Sequence, residues 1–169
     1  VYNSPGYGAT PSDGVKFNYV GNYFKPGPDT KDRQHCIGGW GRPTDCQVYL
    51  KGNYHAALRT SEDQEEILVV EPESRRNVVP GRFAVPPVRT TSARQAYEEV
   101  LQYAGCIAPC RDSVDERVIE EVRRGTGRIP TSVAEAGGYP QIRGGTPPAD
   151  ADHDGMPDAW EQRRGLNPA

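Results

Sequence analysis

A mainly β fold of stacked short strands, followed by two short α-helices and an irregular tail with a calcium loop, is the class predicted for this 169-residue chain. Three observations lead there. The stretches Val15–Phe24 and Cys46–His55 align on a shared Gly-Asn-Tyr step, with Gly21 and Gly52 separated by 31 residues (52 minus 21). Apolar residues at helical spacing begin only near residue 92. Carboxylates then recur at the oxygen-bearing positions of a twelve-residue calcium loop, Asp150 to Glu161.

Composition sets the outer limits. Glycine (19) and proline (16) make up about a fifth of the chain and hydrophobic residues only 35%, so turns outweigh long helices. A net charge of -3 argues against a nucleic-acid partner. No apolar run approaches the roughly 20 residues of a membrane span, so no membrane is expected as partner. The chain begins at Val1 with no charged-then-apolar leader, the pattern expected of a mature secreted product or a fragment.

In the two repeat copies, Phe17 and Tyr19 match Val48 and Leu50 in parity, which fits two strands showing one apolar face to a common core. Lys25, Pro26, Gly27 and Pro28 break the first copy. Strands repeating at this period suggest coils of a solenoid, each burying its face against a neighbour. A sandwich is the alternative, but Asp13-Gly14 is the only plausible two-residue hairpin turn between strands.

Ser92 and Gln95 form a capping box for a first helix carrying Ala93, Ala96, Tyr97, Val100, Leu101 and Ala104, stopped by Gly105. Ser113 to Glu116 opens a second, with Val114, Val118 and Val122, that ends at Gly125. These are packing helices, and the pairs Glu98-Glu99 and Glu120-Glu121 belong to their solvated faces rather than to acid-base chemistry. Residues 126–149 read as an irregular surface tail. The division expected is 1–90 coils, 91–149 helical and irregular extension, and 150–169 calcium-loop module.

Calcium takes six to eight hard oxygens in a flexible shell. Asp150, Asp152 and Asp154 fill loop positions 1, 3 and 5, and Gly155 supplies the sharp turn at 6. The Met156 carbonyl serves position 7, and Asp158 and Glu161 close the shell at 9 and 12. His153 is a bystander, because nitrogen suits other metals better. A lone loop points to a structural Ca2+ ion rather than a paired sensor, and millimolar extracellular calcium would fill a weak site.

Cys36 and Cys46 bracket one loop and Cys106 and Cys110 another. Two local disulfides are the simplest of the three pairings, and a zinc site competes without the short C-x-x-C spacing of common zinc modules. Disulfides with calcium imply an oxidising, extracellular compartment.

Set in order, Val1-Tyr2-Asn3, Asn22 to Pro28 and Val48 to Tyr54 resemble consecutive turns from the later part of secreted bacterial pectate lyases. Arg111 to Arg117, Arg124 to Ile129, and Asp154 to Glu161 followed by Gly165-Leu166-Asn167-Pro168 resemble the carboxy-terminal extension of the same proteins. The resemblance spans nearly the whole chain and implies a partial right-handed parallel β-helix. It also implies an acidic polysaccharide, pectate, as partner, cleaved in the family by β-elimination with calcium bridging the uronate and an arginine taking the C5 proton. Those groups lie upstream in the family. The R-x-P-x-x-R segment is absent here, Gly41-Arg42-Pro43 does not replace it, and no catalytic residue is assigned. Arg33, His35, Arg42 and Lys51 could line a glycan groove or be solvated turn residues, and Trp40 and Tyr49 could stack on sugars or pack the fold.

The function expected is a secreted, calcium-stabilised pectate lyase-like segment without catalysis of its own. The alternatives are the carboxy-terminal portion of an active lyase, a structural subunit associating into a homo-oligomer or filament through open β-helix ends, and a pectin-binding module.

Overall fold

The computed structural model describes residues 1–4, 8–9, 14–31, 37–38, 45–60, 68–69, 72–139, 141 and 144–169. They fall into two compact units, Val1–Gly138 and Tyr139–Ala169.

Unit 1 is built from parallel pairs. Strand β1 (Lys16–Val20) pairs with β3 (Gln47–Lys51), and β2 (Tyr23–Phe24) with β4 (Tyr54–His55), each at the 31-residue offset of the sequence repeat. Single parallel bridges carry the stacking further, Tyr2 to Lys25, Ala9 to Ile37 to Val69, and Val48 to Val78. The predicted parity holds, with Phe17 opposite Val48 and Tyr19 opposite Leu50. Val48 and Leu50 are buried with Phe24, Ile37, Cys46, Leu68 and Val69, and Phe17, Tyr19 and Val78 pack on this cluster. Every strand pair and bridge among the described residues is parallel, which removes the hairpin sandwich. The sheets are nevertheless small and two-stranded, and a continuous β-helix is not what the structure shows. Glycine bends and proline-rich turns cut the strands to between two and five residues.

The Gly-Asn-Tyr repeat has a physical cause. Gly21 and Gly52 both take φ near +68°, at +68° and +67°, to turn the chain from one strand into the next. The following asparagines stack, Asn22 Nδ2 donating to Asn53 Oδ1 at 2.9 Å and Asn53 Nδ2 to the Tyr19 carbonyl at 2.7 Å. The Tyr23 and Tyr54 rings lie 5.2 Å apart directly after them. Each layer thereby hands its unpaired amides to the next, as a buried bend requires.

After a 3-10 helix (Pro72–Asn77), the chain returns to the coil containing β1 and β2. Asn18 exchanges two hydrogen bonds with the Phe83 backbone, at 3.0 and 2.9 Å. The Thr91 carbonyl passes 2.8 Å from where a Cβ on Gly21 would stand. Helices α1 (Ala93–Tyr103) and α2 (Ser113–Arg124) follow. Ser92 caps α1 as expected, but Gln95 turns its amide to Glu99 rather than back to the cap. The cap of α2 is Asp112, one residue earlier than the serine predicted, and it accepts from Val114 and Asp115 at 2.9 Å. Val100 and Val118, predicted to pack, are 58% and 43% exposed. The helices bury a narrower arc than their apolar stripes, centred on Ala93, Leu101 and Ile119. Glu120 and Glu121 pair with Arg123, Arg124 and Arg117 on the surface, in keeping with solvated faces.

Lys25 fastens the extension to the coil. Its Nζ donates to the carbonyls of Val122 (2.6 Å) and Arg123 (2.9 Å) at the end of α2, and to the Tyr97 hydroxyl (2.9 Å). Tyr23 stacks on Tyr97 with centroids 4.5 Å apart. Asp29 accepts from Asn3 and from the Ile129 amide, and the Tyr2 hydroxyl donates to the Thr126 carbonyl.

The Lys-Pro-Gly-Pro turn works by close approach. A Cβ on Gly27 would sit 2.4 to 2.7 Å from three atoms of the Asn3 side chain, which is buried and held by Asp29. Gly27→Ala is expected to cost at least about 1 kcal/mol through overpacking, measured as a lowered urea midpoint with unchanged slope; an unaltered midpoint would show that Asn3 yields freely.

Candidate metal-binding loop

Unit 2 contains α3 (Asp158–Arg164), and the carboxylate loop closes on its first turn. Local hydrogen bonds hold the loop open-centred. The Gly155 amide donates to Asp150 Oδ2 at 3.1 Å, the Asp154 amide to Asp152 Oδ1 at 3.3 Å, and the Met156 amide to Asp154 Oδ1 at 2.8 Å. His153 and Gly155 take positive φ, 60° and 90°, and so reverse the chain on either side of Asp154. One oxygen each from Asp150, Asp152 and Asp154 falls within 4.8 Å of the others. Asp158 is partly engaged elsewhere: its Oδ1 accepts from the Ala151 amide at 2.7 Å, and its own amide donates to the Ala149 carbonyl at 2.9 Å. This clasp joins the two ends of the loop. The structure gives Met156 as a donor to Asp154.

Glu161 is 2% exposed although it carries a carboxylate. Its Oε2 and the Oδ1 of Asp150 are buried with no hydrogen-bond partner. Burial pushes the Glu161 carboxyl above its usual range, and the negative charges of Asp152, Asp154, Asp158 and Asp150 push it further. Two orphaned buried oxygens among hard carboxylates form a donor set that fits a divalent cation of the calcium type.

The other predicted residues do not join this group. Cys36, Arg33, His35, Trp40 and Arg42 lie outside the described residues. Cys46 is buried in the core of unit 1, where its Sγ accepts from Asn77 Nδ2 at 3.3 Å. Cys106 and Cys110 flank the turn between α1 and α2, exposed and not joined to each other. Lys51 is exposed at the end of β3, and Tyr49 is half-buried on that strand. A cleft of about 280 Å³ between β2 and α1 escaped the sequence reading, because Tyr2, Tyr23, Tyr97 and Val122 meet only in the fold. Its walls are mostly apolar, and Lys25 is already spent on helix carbonyls, so it brings together no acid-base pair. No described helix is long and apolar enough to cross a membrane.

Comparison with known proteins points one way. The chain is 33% identical over 177 aligned residues to a protein named probable pectate lyase C from Neosartorya fischeri, and 33% identical to one of the same name from Aspergillus fumigatus. A third, from Emericella nidulans, is 28% identical over 176 residues. Each alignment covers 99% of this chain but only 40 to 41% of the relative. These relatives are fungal, not bacterial as the sequence resemblance suggested. No protein-family model matches, and no solved structure matches. Along practically its whole length, then, this chain is similar to about two-fifths of each of these proteins named probable pectate lyase C.

Proposed function

We propose that the chain is a secreted, pectate lyase-like β-helix segment without catalytic groups of its own, stabilised by a structural calcium ion in the 150–161 loop. The observation that carries the first part is the 31-residue parallel stacking with its asparagine and tyrosine ladder, which is the local geometry of coil on coil. The reading places a right-handed β-helix over 1–90, an extension over 91–149 and a metal module over 150–169, and the stacking supports the first of these. The relatives' names support an acidic polysaccharide, pectate, as partner, and an extracellular setting follows from that substrate class.

Calcium binding is supported by the two unpartnered buried oxygens of Asp150 and Glu161 beside Asp152 and Asp154. A bound cation would supply the positive charge that this all-oxygen set lacks. Met156 and Asp158 complete the proposed ligand set. Asp152→Asn is expected to weaken calcium binding about tenfold, the equivalent of one lost charge-assisted ligand, read by isothermal titration calorimetry. Equal affinity in the variant would remove Asp152 from the site. The Cys36–Cys46 and Cys106–Cys110 disulfides are proposed for the oxidised protein, the second to form from the two exposed thiols of the turn; four free thiols on titration of native-source material would remove both.

The share of the relatives covered favours a second reading, in which this chain is the carboxy-terminal portion of a longer β-eliminating lyase. Incubation with polygalacturonate and calcium separates the two. Formation of unsaturated product by these 169 residues would overturn the non-catalytic reading. Saturable pectate binding without product would support it.

A further inference from the structure

The described residues of unit 2 bury no apolar side chain. Among them the one buried side chain is that of Glu161, while Leu166 is 46% exposed and Trp160 lies half-buried beneath the Arg164 guanidinium, 4.6 Å from its ring centroid. Helix α3 has seven residues, too few to persist in water on propensity alone. Its cap residue, Pro157, offers no side-chain acceptor to the first amides. What the helix buries is a carboxylate with an orphaned oxygen, and no described cation pairs with it or with Asp150, Asp152, Asp154 or Asp158. Burying an unpaired charge opposes folding, and crowding five carboxylates adds repulsion. The internal forces of the unit therefore favour opening until a cation enters.

Resting on the calcium reading of the loop, we infer that cation binding and the formation of α3 are one event: the 150–161 carboxylates gather a divalent ion, and only then does Glu161 become buried and the helix close. The backbone supports that coupling. Asp158 begins α3 and also clasps Ala149 and Ala151 at the head of the loop, while the Leu166 amide closes the far end on the Glu161 carbonyl at 3.0 Å. Loop and helix thus meet at Asp158, whose hydrogen bonds close the head of the loop on the first residue of the helix. The device makes residues 150–169 responsive to calcium concentration, ordered where the ion is plentiful and open to proteases where it is scarce.

The test uses the full chain, with calcium alone as probe and two independent readouts. Calorimetry reports binding. Mass spectrometry reports the rate of tryptic cleavage after Arg163 and Arg164, which α3 contains. At free calcium ten times its Kd, cleavage there is expected to slow about tenfold relative to chelator, the protection that linkage gives. Binding with unchanged cleavage would overturn the inference and leave the calcium reading standing; absence of binding would remove both. Glu161→Gln supplies a second discrimination, because it keeps the shape and removes the buried charge. Its cleavage in chelator is expected to fall toward the calcium-loaded rate of the parent. Cleavage as fast as the parent's in chelator would mean that the buried charge is not what opens α3.

Discussion

Ile37→Ala is expected to lower the unfolding free energy of unit 1 by about 3 kcal/mol, within the range for aliphatic-to-alanine truncation at buried sites. Ile37 is fully buried and stands mid-column, bridged in parallel to Ala9 on one side and Val69 on the other. Its amide donates to the Leu68 carbonyl at 3.0 Å, which fixes the backbone and limits how far neighbours can collapse into the space. Phe24, Val48, Leu68 and Val69 share its buried cluster and come from three different stretches of chain. Urea denaturation checks this through the midpoint, with the slope unchanged. A loss below about 1 kcal/mol would mean that the coils slide together and refill the column.

Lys25→Met is the second large effect, expected at about 2 kcal/mol, the scale of hydrogen bonds from a charged donor to groups that would otherwise be left unmet. Methionine keeps most of the stem's volume, so the loss isolates the ammonium. Removing it orphans the Val122 and Arg123 carbonyls at the end of α2, withdraws a partner from the Tyr97 hydroxyl, and takes away a cation placed against the helix dipole. Hydrogen exchange adds a local readout: amides in the last turn of α2 should exchange faster in the variant than those in β3. Uniform exchange with a loss under about 0.5 kcal/mol would show water replacing the ammonium at little cost.

Much of this was legible in the sequence because it is local or periodic. The Gly-Asn-Tyr step announced the register, since a glycine bend followed by a stacking amide and ring repeats only if layers repeat. The gathering of Asp150, Asp152 and Asp154 was legible for the same reason, these carboxylates lying within five residues of one another. Ser92 was readable as a cap, whereas Asp112 displaced Ser113 because a carboxylate can accept from two amides at once. What escaped were meetings at long range. Lys25 reaches carbonyls 97 and 98 residues away, and Asn18 reaches Phe83 across 65. Such pairings leave no spacing signal. The exposure of Val100 and Val118 escaped too, because a helical stripe gives the direction of burial but not the width of the surface that receives it.

The return of the chain to the β1–β2 coil bears on how unit 1 comes apart. A stack in which each layer touches only its neighbours unzips from its ends, one coil at a time. Here residues 2, 18, 25 and 29 are hydrogen-bonded to residues 126, 83, 122–123 and 129 respectively, so early chain is laced to late chain. Fraying at one end then strains the other. Denaturation of the unit should consequently follow a single sigmoid with coincident optical probes, as a closed domain does, where an unlaced solenoid would give a broad, staggered melt.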